Sequence, residues 1–435
     1  MFNCQEDGLR HRSGTTRLEL NRVLIIIVAR FADILRGEVA EWLKAPLSKS
    51  GVPVRVPRVR IPPSPHLPRG RVPVSPSSWR RDKPAQTRPD RSGGKEMKKV
   101  PLVLTGYGNV GKSFVRLLLD KREDCVRRYD LDLELTAVLR RSGGWLAEGC
   151  DDFESLAADT TVPLESHPGW TPGLTLGDTL SRTSAGVLVE CTPSNWKTGE
   201  PQLAFLHLAL DRGWHVAAAS KGALVVDFKN LRAKARAKGL ALKFSGATAA
   251  ALPTLDVATI SLAGADILRI DGILTGTTNY ILGRLEQGLP FEAALAEAQA
   301  KGIAEPDPSM DIDGWDTACK LLLIANSAAG IELTLKDIKV EGIRSVTAAD
   351  LAKARSEGKA LKLLGRLIWD EGRYIAEVKP VAVEPTHPLY RLTGTSKGIA
   401  FLTDTMGTIA VTDGKSDPRG TAASVLKDII NIFRL

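Results

Sequence analysis

A glycine-rich turn between a strand and a helix constrains this chain more than any other feature. The segment MKKVPLVLTGYGNVGKSFVRLLLD begins at Met97 with a buried apolar strand, residues 100–104, and ends in an amphipathic helix. Between them Gly106, Gly108 and Gly111 form the pattern G-x-G-x-x-G. The first glycine lets the chain turn, the second lets a pyrophosphate approach the backbone, and the third lets helix and strand pack closely. In this context the pattern predicts a dinucleotide-binding α/β fold, although a packing turn without a ligand has the same spacing.

Three further segments predict parallel strands whose carboxyl ends meet the same ligand. LELTAVL ends at Arg140 and Arg141, AGVLVECTPSN contains Thr192 and Ser194, and GWHVAAASKGAL delivers Lys221. Ligands of open parallel sheets lie outside the strand ends, so we expect the last three side chains on the nicotinamide side. Two arginines after the second strand suit the 2′-phosphate of NADP better than the ribose hydroxyl of NAD. NADP is therefore the expected cofactor, with NAD possible.

The stretch EPDPSMDIDGWDTACK places five carboxylates in front of an apolar helix. We expect Asp313 to cap this helix and Asp316 to complete a capping box three residues later. Asp316 and Lys320 are four residues apart, which puts them on one helical face. Residues 321–324 leave the helix apolar nearly all round, as in a buried helix. A lysine there must be paired or have a lowered pKa, and either state suits proton transfer, although a structural ion pair has the same spacing.

Composition limits the class of protein. The chain has 435 residues, enough for two or three domains, and its 43% hydrophobic and 25% charged content is that of an ordinary soluble protein. Five cysteines show neither C-x-x-C nor zinc-finger spacing, so we expect a reducing, cytoplasmic environment without disulfides or zinc. The longest purely apolar run, VLIIIVA, is far below the roughly 18 residues of a membrane span.

The first 96 residues differ from the rest in charge. They carry 19 Lys and Arg against 9 Asp and Glu, whereas the rest of the chain carries 40 against 41. Residues 46–89 contain eleven prolines and no hydrophobic period, so no core can form, and one short helix near residues 18–44 is expected. VAEWLKAP and RVRIPPSP back-translate to sequences that resemble the D-arm and T-arm of a transfer RNA gene. We therefore expect translation to start at Met97, with a targeting peptide or basic arm as the alternative.

Residues 97–435 resemble homoserine dehydrogenases of the short form, which have no added regulatory domain. GILTGTTNYIL and AKGIAEPDPSMDIDGWDTACK carry the resemblance, with GYGNVG and ASKGAL in matching order. It implies an α/β protein with a Rossmann-type doubly wound nucleotide-binding domain and an α+β catalytic and dimerisation domain. The expected divisions are a leader at 1–96, the NAD(P)-binding domain at 97–240, and the catalytic and dimerisation domain at 241–410. A C-terminal segment at 411–435 is expected to return to the nucleotide-binding domain.

The resemblance also implies a role for individual residues. Lys320 would be the acid/base group at the substrate oxygen, Asp316 would bind homoserine beside it, and Lys221 would lie near the reacting carbon. Glu305 would hold the substrate ammonium, and the loop Gly276, Thr277, Thr278, Asn279 would line the pocket. The implied cofactor-binding set is Gly106, Tyr107, Gly108, Asn109, Val110, Gly111, Arg140, Arg141, Thr192, Ser194 and Lys221.

The family's reaction is the NAD(P)-dependent interconversion of L-aspartate 4-semialdehyde and L-homoserine, which feeds threonine, methionine and isoleucine synthesis. A cytoplasmic homodimer without nucleic-acid or membrane partners is implied. Many members have a sodium-binding glutamate where this chain has Ser245, so no strong metal site is expected, and any sodium would be held weakly near Ser245, Thr248, Ala250 and Leu252. The alternatives are a related dehydrogenase of another amino acid or semialdehyde, and a nucleotide-sensing or nucleic-acid-binding protein with a basic arm.

Overall fold

The computed structural model describes residues 97–147, 152–414 and 417–434. Of Asp152 it describes the backbone but not the side chain. The expected leader of residues 1–96, including its short helix near residues 18–44, lies outside the described residues. All described residues belong to one compact unit.

The first half is built on a seven-stranded sheet with the order β4-β3-β2-β1-β5-β6-β7. Its strands are β1 (Lys98–Thr105), β2 (Leu131–Arg140), β3 (Gly143–Leu146), β4 (Trp170–Pro172), β5 (Val187–Glu190), β6 (His215–Ala218) and β7 (Leu242–Lys243). Strands β2, β1, β5, β6 and β7 run parallel, and β3 and β4 add an antiparallel edge. Because β1 has β2 on one side and β5 on the other, a crevice opens at its carboxyl end. The predicted doubly wound nucleotide-binding fold is confirmed.

Helices connect these strands. They are α1 (Asn109–Tyr129), α2 (Asp152–Ala158), α3 (Leu176–Arg182), α4 (Gln202–Asp211) and α5 (Gly222–Ala237), with a 3-10 turn at Leu164–Ser166. The predicted strand–glycine turn–helix unit is confirmed as β1 and α1. The hydrophobic residues of β1, such as Leu102 and Val103, are fully buried between the layers.

The second half is an α+β assembly on a six-stranded mixed sheet, as expected. Its order is β13-β12-β8-β10-β11-β9, in which the last pair is parallel and the other pairs are antiparallel. The strands are β8 (Ile267–Ile273), β9 (Ile338–Val340), β10 (Ala360–Asp370), β11 (Arg373–Val383), β12 (Gly398–Thr403) and β13 (Thr408–Thr412). The helices are α6 (Ser245–Ala249), α7 (Thr254–Asp256), a π-helical turn (Val257–Ser261), α8 (Gly276–Glu286), α9 (Phe291–Ala300), α10 (Ser309–Ile312), α11 (Trp315–Ala328), a 3-10 turn (Leu335–Asp337), α12 (Ala348–Ser356) and α13 (Pro418–Arg434).

Helix α11 lies at the centre of the molecule. It packs against strands of the second sheet on one side and against α5 and α6 on the other. Its residues Leu321, Leu322, Leu323 and Ile324 are fully buried, which confirms the prediction of a buried helix. Burial on both sides explains why the helix is apolar nearly all round.

The predicted start of α11 is wrong by one residue. Gly314 is the N-cap, and with φ of 86° its backbone adopts a left-handed conformation, which suits a residue without a Cβ atom. Asp313 instead forms an ion pair with Arg344, and Asp316 lies in the first turn without closing a capping box. The predicted side-chain cap is therefore absent, and Asp316 is available to other partners.

The last helix joins the two halves. After β13 the chain continues into α13, which packs against α1 and β6 of the first half and against α6 of the second. Its residues Val425 and Ile429 enter the core between α1 and the first sheet. Within the described part of the chain, no helix is both long and apolar enough to cross a membrane.

Candidate active site

One buried carboxylate joins lysines from both halves of the molecule. The Asp316 Oδ2 atom is 2.6 Å from Nζ of Lys320 one turn later on α11, and its Oδ1 atom is 3.3 Å from Nζ of Lys221. Lys221 is the N-cap of α5, immediately beyond the end of β6, and Thr275 donates a hydrogen bond to Asp316 Oδ2 at 3.0 Å. The predicted catalytic residues Lys221, Asp316 and Lys320 therefore lie together.

The electrostatics of this cluster follow from its geometry. Burial opposes ionisation of Asp316, but the ammonium groups of Lys320 and Lys221 outweigh it and hold the pKa of that carboxyl well below its usual range. In return, the Asp316 carboxylate raises the pKa of Lys221. Lys320 also donates a hydrogen bond to the Leu274 carbonyl at 2.9 Å, which fixes its ammonium at the end of β8. The Asp316 carboxylate thus holds the ammonium groups of both lysines beside each other.

Two further carboxylates approach this cluster from the segment before α11. Asp311 lies beside the Thr277 hydroxyl, and its pKa is raised by burial and by the nearby Asp316 carboxylate. Glu305 is exposed and contributes a smaller repulsion to Asp311. Asp311 was not predicted as a site residue, although it stands in the same charged stretch before the apolar helix as Glu305, which was.

The predicted loop at residues 276–279 forms the first turn of α8. Thr277 faces Asp311 and donates a hydrogen bond to the Ile303 carbonyl, so it lies beside the carboxylates. Thr278 bonds back to the Thr275 carbonyl. Asn279 is turned away and donates to carbonyls of Leu392, Gly394 and Ser396. Of this loop, Thr277 lies beside the carboxylates, and Asn279 fixes the loop before β12.

The glycine turn has the shape that a pyrophosphate requires. Gly106 has φ of 91°, and a Cβ atom there would lie 2.6 Å from the Cys191 backbone; at Gly111 it would lie 2.1 Å from the Gly106 carbonyl. At Gly108 a Cβ atom would meet no heavy atom of the described chain within 4 Å, so the space in front of the α1 N-terminus is open. Asn109 and Val110 begin α1 there. The turn therefore fits a dinucleotide phosphate at the helix N-terminus.

Tyr107 does not share this open space. Its ring is buried, burial raises its pKa to about 12, and its hydroxyl has no hydrogen-bond partner among the described residues. The structure therefore assigns the Tyr107 side chain to the core below the turn, which leaves only its backbone beside the expected phosphate.

A buried glutamate that the sequence analysis missed organises the neighbouring strand ends. Glu190, the last residue of β5, accepts hydrogen bonds from the Thr192 backbone and hydroxyl and from the Ser220 hydroxyl. Ser194 in turn accepts a hydrogen bond from the Lys221 backbone at 2.9 Å. The predicted residues Thr192, Ser194 and Lys221 are thus brought to one edge of the sheet. A single acid that ends the apolar run VLVE was the signal for Glu190.

A pair of stacked tryptophans connects this edge to the catalytic helix. Trp196, in the loop after β5, stacks on Trp315 in the first turn of α11, with ring centroids 5.6 Å apart and planes 17° apart. Stacking of this kind contributes about 0.5–1.5 kcal/mol beyond the area it buries. The nucleotide half and the catalytic half therefore meet next to Asp316 through an aromatic contact as well as an ion pair.

Comparison with known proteins identifies this arrangement. The family model described as homoserine dehydrogenase matches residues 253–430, and the model for the homoserine dehydrogenase NAD binding domain matches residues 106–245. A homoserine dehydrogenase of Methanocaldococcus jannaschii is 35% identical over 335 residues, which are 76% of this chain and 98% of that protein. The chain belongs to the homoserine dehydrogenase family.

Two further homoserine dehydrogenases extend the comparison. An NAD(+)-dependent homoserine dehydrogenase of Pseudomonas canavaninivorans is 30% identical over 349 residues, covering 78% of this chain and 97% of that protein. The crystal structure of a homoserine dehydrogenase from Thiobacillus denitrificans superposes with a TM-score of 0.68 at 27% identity, covering 78% of this chain and 74% of that one. With the matching NAD binding domain, these relatives support a nicotinamide cofactor for this homoserine dehydrogenase family member.

The arginines expected to select NADP have different surroundings. Arg140 forms a 2.7 Å ion pair with Glu165, whose carboxylate also accepts a hydrogen bond from Ser142. Arg141 is exposed and has no ion pair or hydrogen bond to the residues that the structure describes. Glu165 reaches this site from a separate 3-10 turn, so the strand-end pattern could not reveal it. Of the two arginines, Arg141 is the one free to meet a phosphate.

The segment expected to bind sodium weakly is held by the protein's own groups. Ser245 donates its N–H and hydroxyl to Asp428 at 2.7 Å each, and its hydroxyl accepts a 2.8 Å hydrogen bond from the ammonium of Lys427. Thr248 bonds back to the Ser245 carbonyl at 2.9 Å. Among the residues described, no group of three or more His, Cys, Asp or Glu side chains could hold a metal ion.

Proposed function

We propose that this protein is an NADP-dependent homoserine dehydrogenase that interconverts L-aspartate 4-semialdehyde and L-homoserine for threonine, methionine and isoleucine synthesis. One observation carries the proposal: Asp316 holds Lys320 of the catalytic helix and Lys221 of the nucleotide half at one point. Reducing an aldehyde requires a hydride at carbon and a proton at oxygen, so a proton donor must face the cofactor edge. A paired lysine at the junction of the halves supplies that donor.

Proton transfer falls to Lys320. In the reduction, its ammonium gives a proton to the aldehyde oxygen; in the oxidation, its neutral amine removes the proton of the homoserine hydroxyl. Asp316 orients Lys320 and keeps Lys221 charged beside the reacting carbon. The dinucleotide would be held by the turn at residues 106–111, and when bound its nicotinamide supplies or accepts the hydride. Thr192, Ser194 and Lys221 border the nicotinamide side.

Substrate recognition falls to the carboxylates beside this pair. Homoserine and its aldehyde carry an α-ammonium group, for which charged hydrogen bonds to carboxylates are the strongest partners. We place the ammonium at Asp311, which lies beside Thr277 at the start of α8, and at Glu305, whose charge acts on Asp311. Gly276 and Thr277 then line the pocket, while Thr278 and Asn279 support its wall.

The preference for NADP is assigned to Arg141. A guanidinium grips a 2′-phosphate through paired charged hydrogen bonds, and Arg141 has no partner within the described chain to compete with that phosphate. Arg140 is the second candidate, although Glu165 already pairs with it. The structure's support for NADP is thus one exposed guanidinium, and NAD remains the alternative cofactor.

A cytoplasmic homodimer completes the proposal. The described cysteines Cys125, Cys191 and Cys319 are free, as expected in a reducing compartment. In the single chain, Trp369 and Met406 of the second half are 46% and 45% exposed, and a second copy would cover such apolar groups. Light scattering of the purified protein tests the dimer, and fractionation of host cells tests the location.

The decisive experiment is a direct assay of homoserine oxidation with NADP+ and with NAD+, followed by NAD(P)H absorbance. We expect saturable turnover with homoserine, a higher kcat/KM with NADP+, and none with serine or threonine at equal concentration. Turnover with another amino acid but not with homoserine would favour the alternative of a related dehydrogenase. Binding of nucleotide without any turnover would favour a nucleotide-sensing protein instead.

A further inference from the structure

Lys397, immediately before β12, is a buried lysine for which the mechanism above has no role. Lys397 is only 4% exposed, and its Nζ atom donates a hydrogen bond to the Ala249 carbonyl at 2.8 Å. Ala249 is the last residue of α6 and stands 148 residues earlier in the chain. The lysine therefore connects two segments that are distant in sequence.

The backbone that Lys397 holds is strained. Ala250, the next residue, has φ of 56° and ψ of −120°, a conformation that costs an L-residue with a Cβ atom about 1–3 kcal/mol. Its carbonyl accepts a 2.5 Å hydrogen bond from the Ser424 hydroxyl of α13. Consecutive carbonyls of the turn are thus fixed by two donors, Lys397 before β12 and Ser424 of α13, which hold a conformation that would otherwise relax.

This turn lies between the two sides of the active site. Helix α6 packs against β6, which ends three residues before Lys221, and against α11, which carries Asp316 and Lys320. A Cβ atom at Gly246 would lie 3.4 Å from the Ala219 Cα atom, two residues before Lys221. The Lys397 ammonium is itself close enough to Lys320 and Asp316 to be repelled by one and attracted by the other.

Keeping a lysine in this position is costly. Burial and the Lys320 ammonium lower the pKa of Lys397 to about 7, whereas an exposed lysine titrates near 10.4. A methionine or leucine would fill the same volume without that penalty. Because a buried lysine at position 397 lowers the stability of the fold, we expect this residue to contribute to the reaction instead.

We propose that Lys397 is a positioning residue: its buried ammonium fixes the strained Ala249–Ala250 turn and thereby the spacing between Lys221 and the Asp316–Lys320 pair. The inference rests on the proposed function, because the spacing it controls is that of the two groups assigned to the dehydrogenation. Errors of about 1 Å in such spacing can reduce turnover by about 100-fold.

The chain offers a matched control in Lys362. It is equally buried, 3% exposed, and donates one hydrogen bond to the Leu392 carbonyl at 2.7 Å, but the charge acting on it is Glu286 rather than the catalytic pair. Lys397→Ala and Lys362→Ala should therefore cost comparable stability. Only Lys397→Ala should also lower kcat.

The test compares wild type, Lys397→Ala and Lys362→Ala for kcat, KM, NADPH affinity by fluorescence titration, and the urea midpoint of unfolding. For Lys397→Ala we expect kcat to fall at least about tenfold, with NADPH affinity within about twofold of wild type. Added methylamine, which supplies an amino group and is smaller than the side-chain atoms that the substitution removes, should restore part of the lost kcat. Lys362→Ala should retain kcat and show no response to methylamine.

Each contrary result overturns the inference separately from the proposed function. An inactive wild type removes the proposed function itself, whereas an active wild type with an equally active Lys397→Ala removes only the positioning role. A rise in homoserine KM at unchanged kcat would make Lys397 a substrate-binding group, and equal kcat losses in both variants without rescue would make it structural. If Lys397→Ala does not fold, Lys397→Met keeps the stem, and full kcat in that variant rejects the proposal.

Discussion

Two buried aspartates of the second half, Asp316 and Asp271, are each surrounded by basic groups, and only one belongs to the candidate site. Asp271 on β8 pairs with Arg269 at 2.7 Å, Arg366 at 3.2 Å and His387 at 3.1 Å. Burial opposes its ionisation, but the hydrogen bond with His387 and the charges of Arg269 and Arg366 lower its pKa below the usual value. Judged by burial and charge alone, the two clusters are alike.

They differ in the chemistry and origin of their partners. The groups around Asp271 all come from the second half, and two are guanidinium groups that do not release a proton in proteins. The partners of Asp316 are two lysines, and one of them, Lys221, belongs to the nucleotide half. A lysine can exchange its proton, and under the proposed function the contact between the halves is where cofactor and substrate meet. Partner type and origin, rather than burial, distinguish the cluster proposed as catalytic from the other one.

The largest expected effect tests whether Lys320 transfers the proton. Lys320→Ala should lower kcat for homoserine oxidation on the order of 100-fold or more, because it removes the proton-transfer group. NADPH affinity, measured by fluorescence titration, should stay within about twofold because the nucleotide half is untouched. Lys320→Arg is the sharper variant: it preserves the charge beside Asp316 but not a transferable proton, so it should be almost equally inactive. High turnover in the arginine variant would make the Asp316 cluster as structural as that of Asp271.

The reciprocal change tests the structural cluster. Asp271→Asn removes the charge that three basic groups share, and we expect a loss of about 3 kcal/mol in the free energy of unfolding, measured by urea denaturation. The folded variant should keep kcat within about twofold, since Asp271 has no contact with either catalytic lysine among the described residues. A large loss of kcat with unchanged stability would reverse the distinction drawn between the two clusters.

A smaller effect is expected for the two carboxylates assigned to binding the substrate ammonium, Glu305 and Asp311. Glu305→Gln keeps the shape of the side chain but loses the charge that pairs with the substrate ammonium, so KM for homoserine should rise about tenfold, at a modest change in kcat. Asp311→Asn provides the comparison, because Asp311 is the more buried of the two carboxylates. If only Asp311→Asn changes KM, the ammonium site lies at Asp311, and the role assigned to Glu305 is wrong.

The sequence predicted the fold and the centre of the site better than the periphery. The glycine turn, the strand ends and the pair Asp316 and Lys320 follow local rules of spacing, so pattern and family resemblance located them. Asp311, Glu190 and Glu165 escaped, because each acquires its partners only when distant segments fold together. The cap at Asp313 was wrong for a similar reason: the chain must turn at Gly314 to bring Arg344 to Asp313. Local pattern predicts elements, while tertiary contacts decide which charges are free.

The smallest expected effect concerns the choice between NADP and NAD. The two arginines at the end of β2 and just after it differ in their partners, as the two aspartates do. Arg140 is already neutralised by Glu165 at 2.7 Å, whereas Arg141 is exposed and free within the described chain. Exposed charges contribute little, so Arg141→Ala should weaken NADPH binding only about three- to tenfold and leave NADH binding almost unchanged, because NADH lacks the 2′-phosphate.

Glu165→Gln is the matched partner of that variant. It releases Arg140 without removing any arginine, so NADPH affinity should rise a few-fold while NADH affinity stays the same or falls. Both variants are measured by fluorescence titration at low and high salt, since a contact with the 2′-phosphate weakens as ionic strength rises. Equal losses for both cofactors in Arg141→Ala would show that this guanidinium does not meet the 2′-phosphate. In that case a gain for NADPH in Glu165→Gln would assign the phosphate to Arg140, and no gain would leave the enzyme without arginine-based selection for NADP, as expected of an NAD-dependent member of the family.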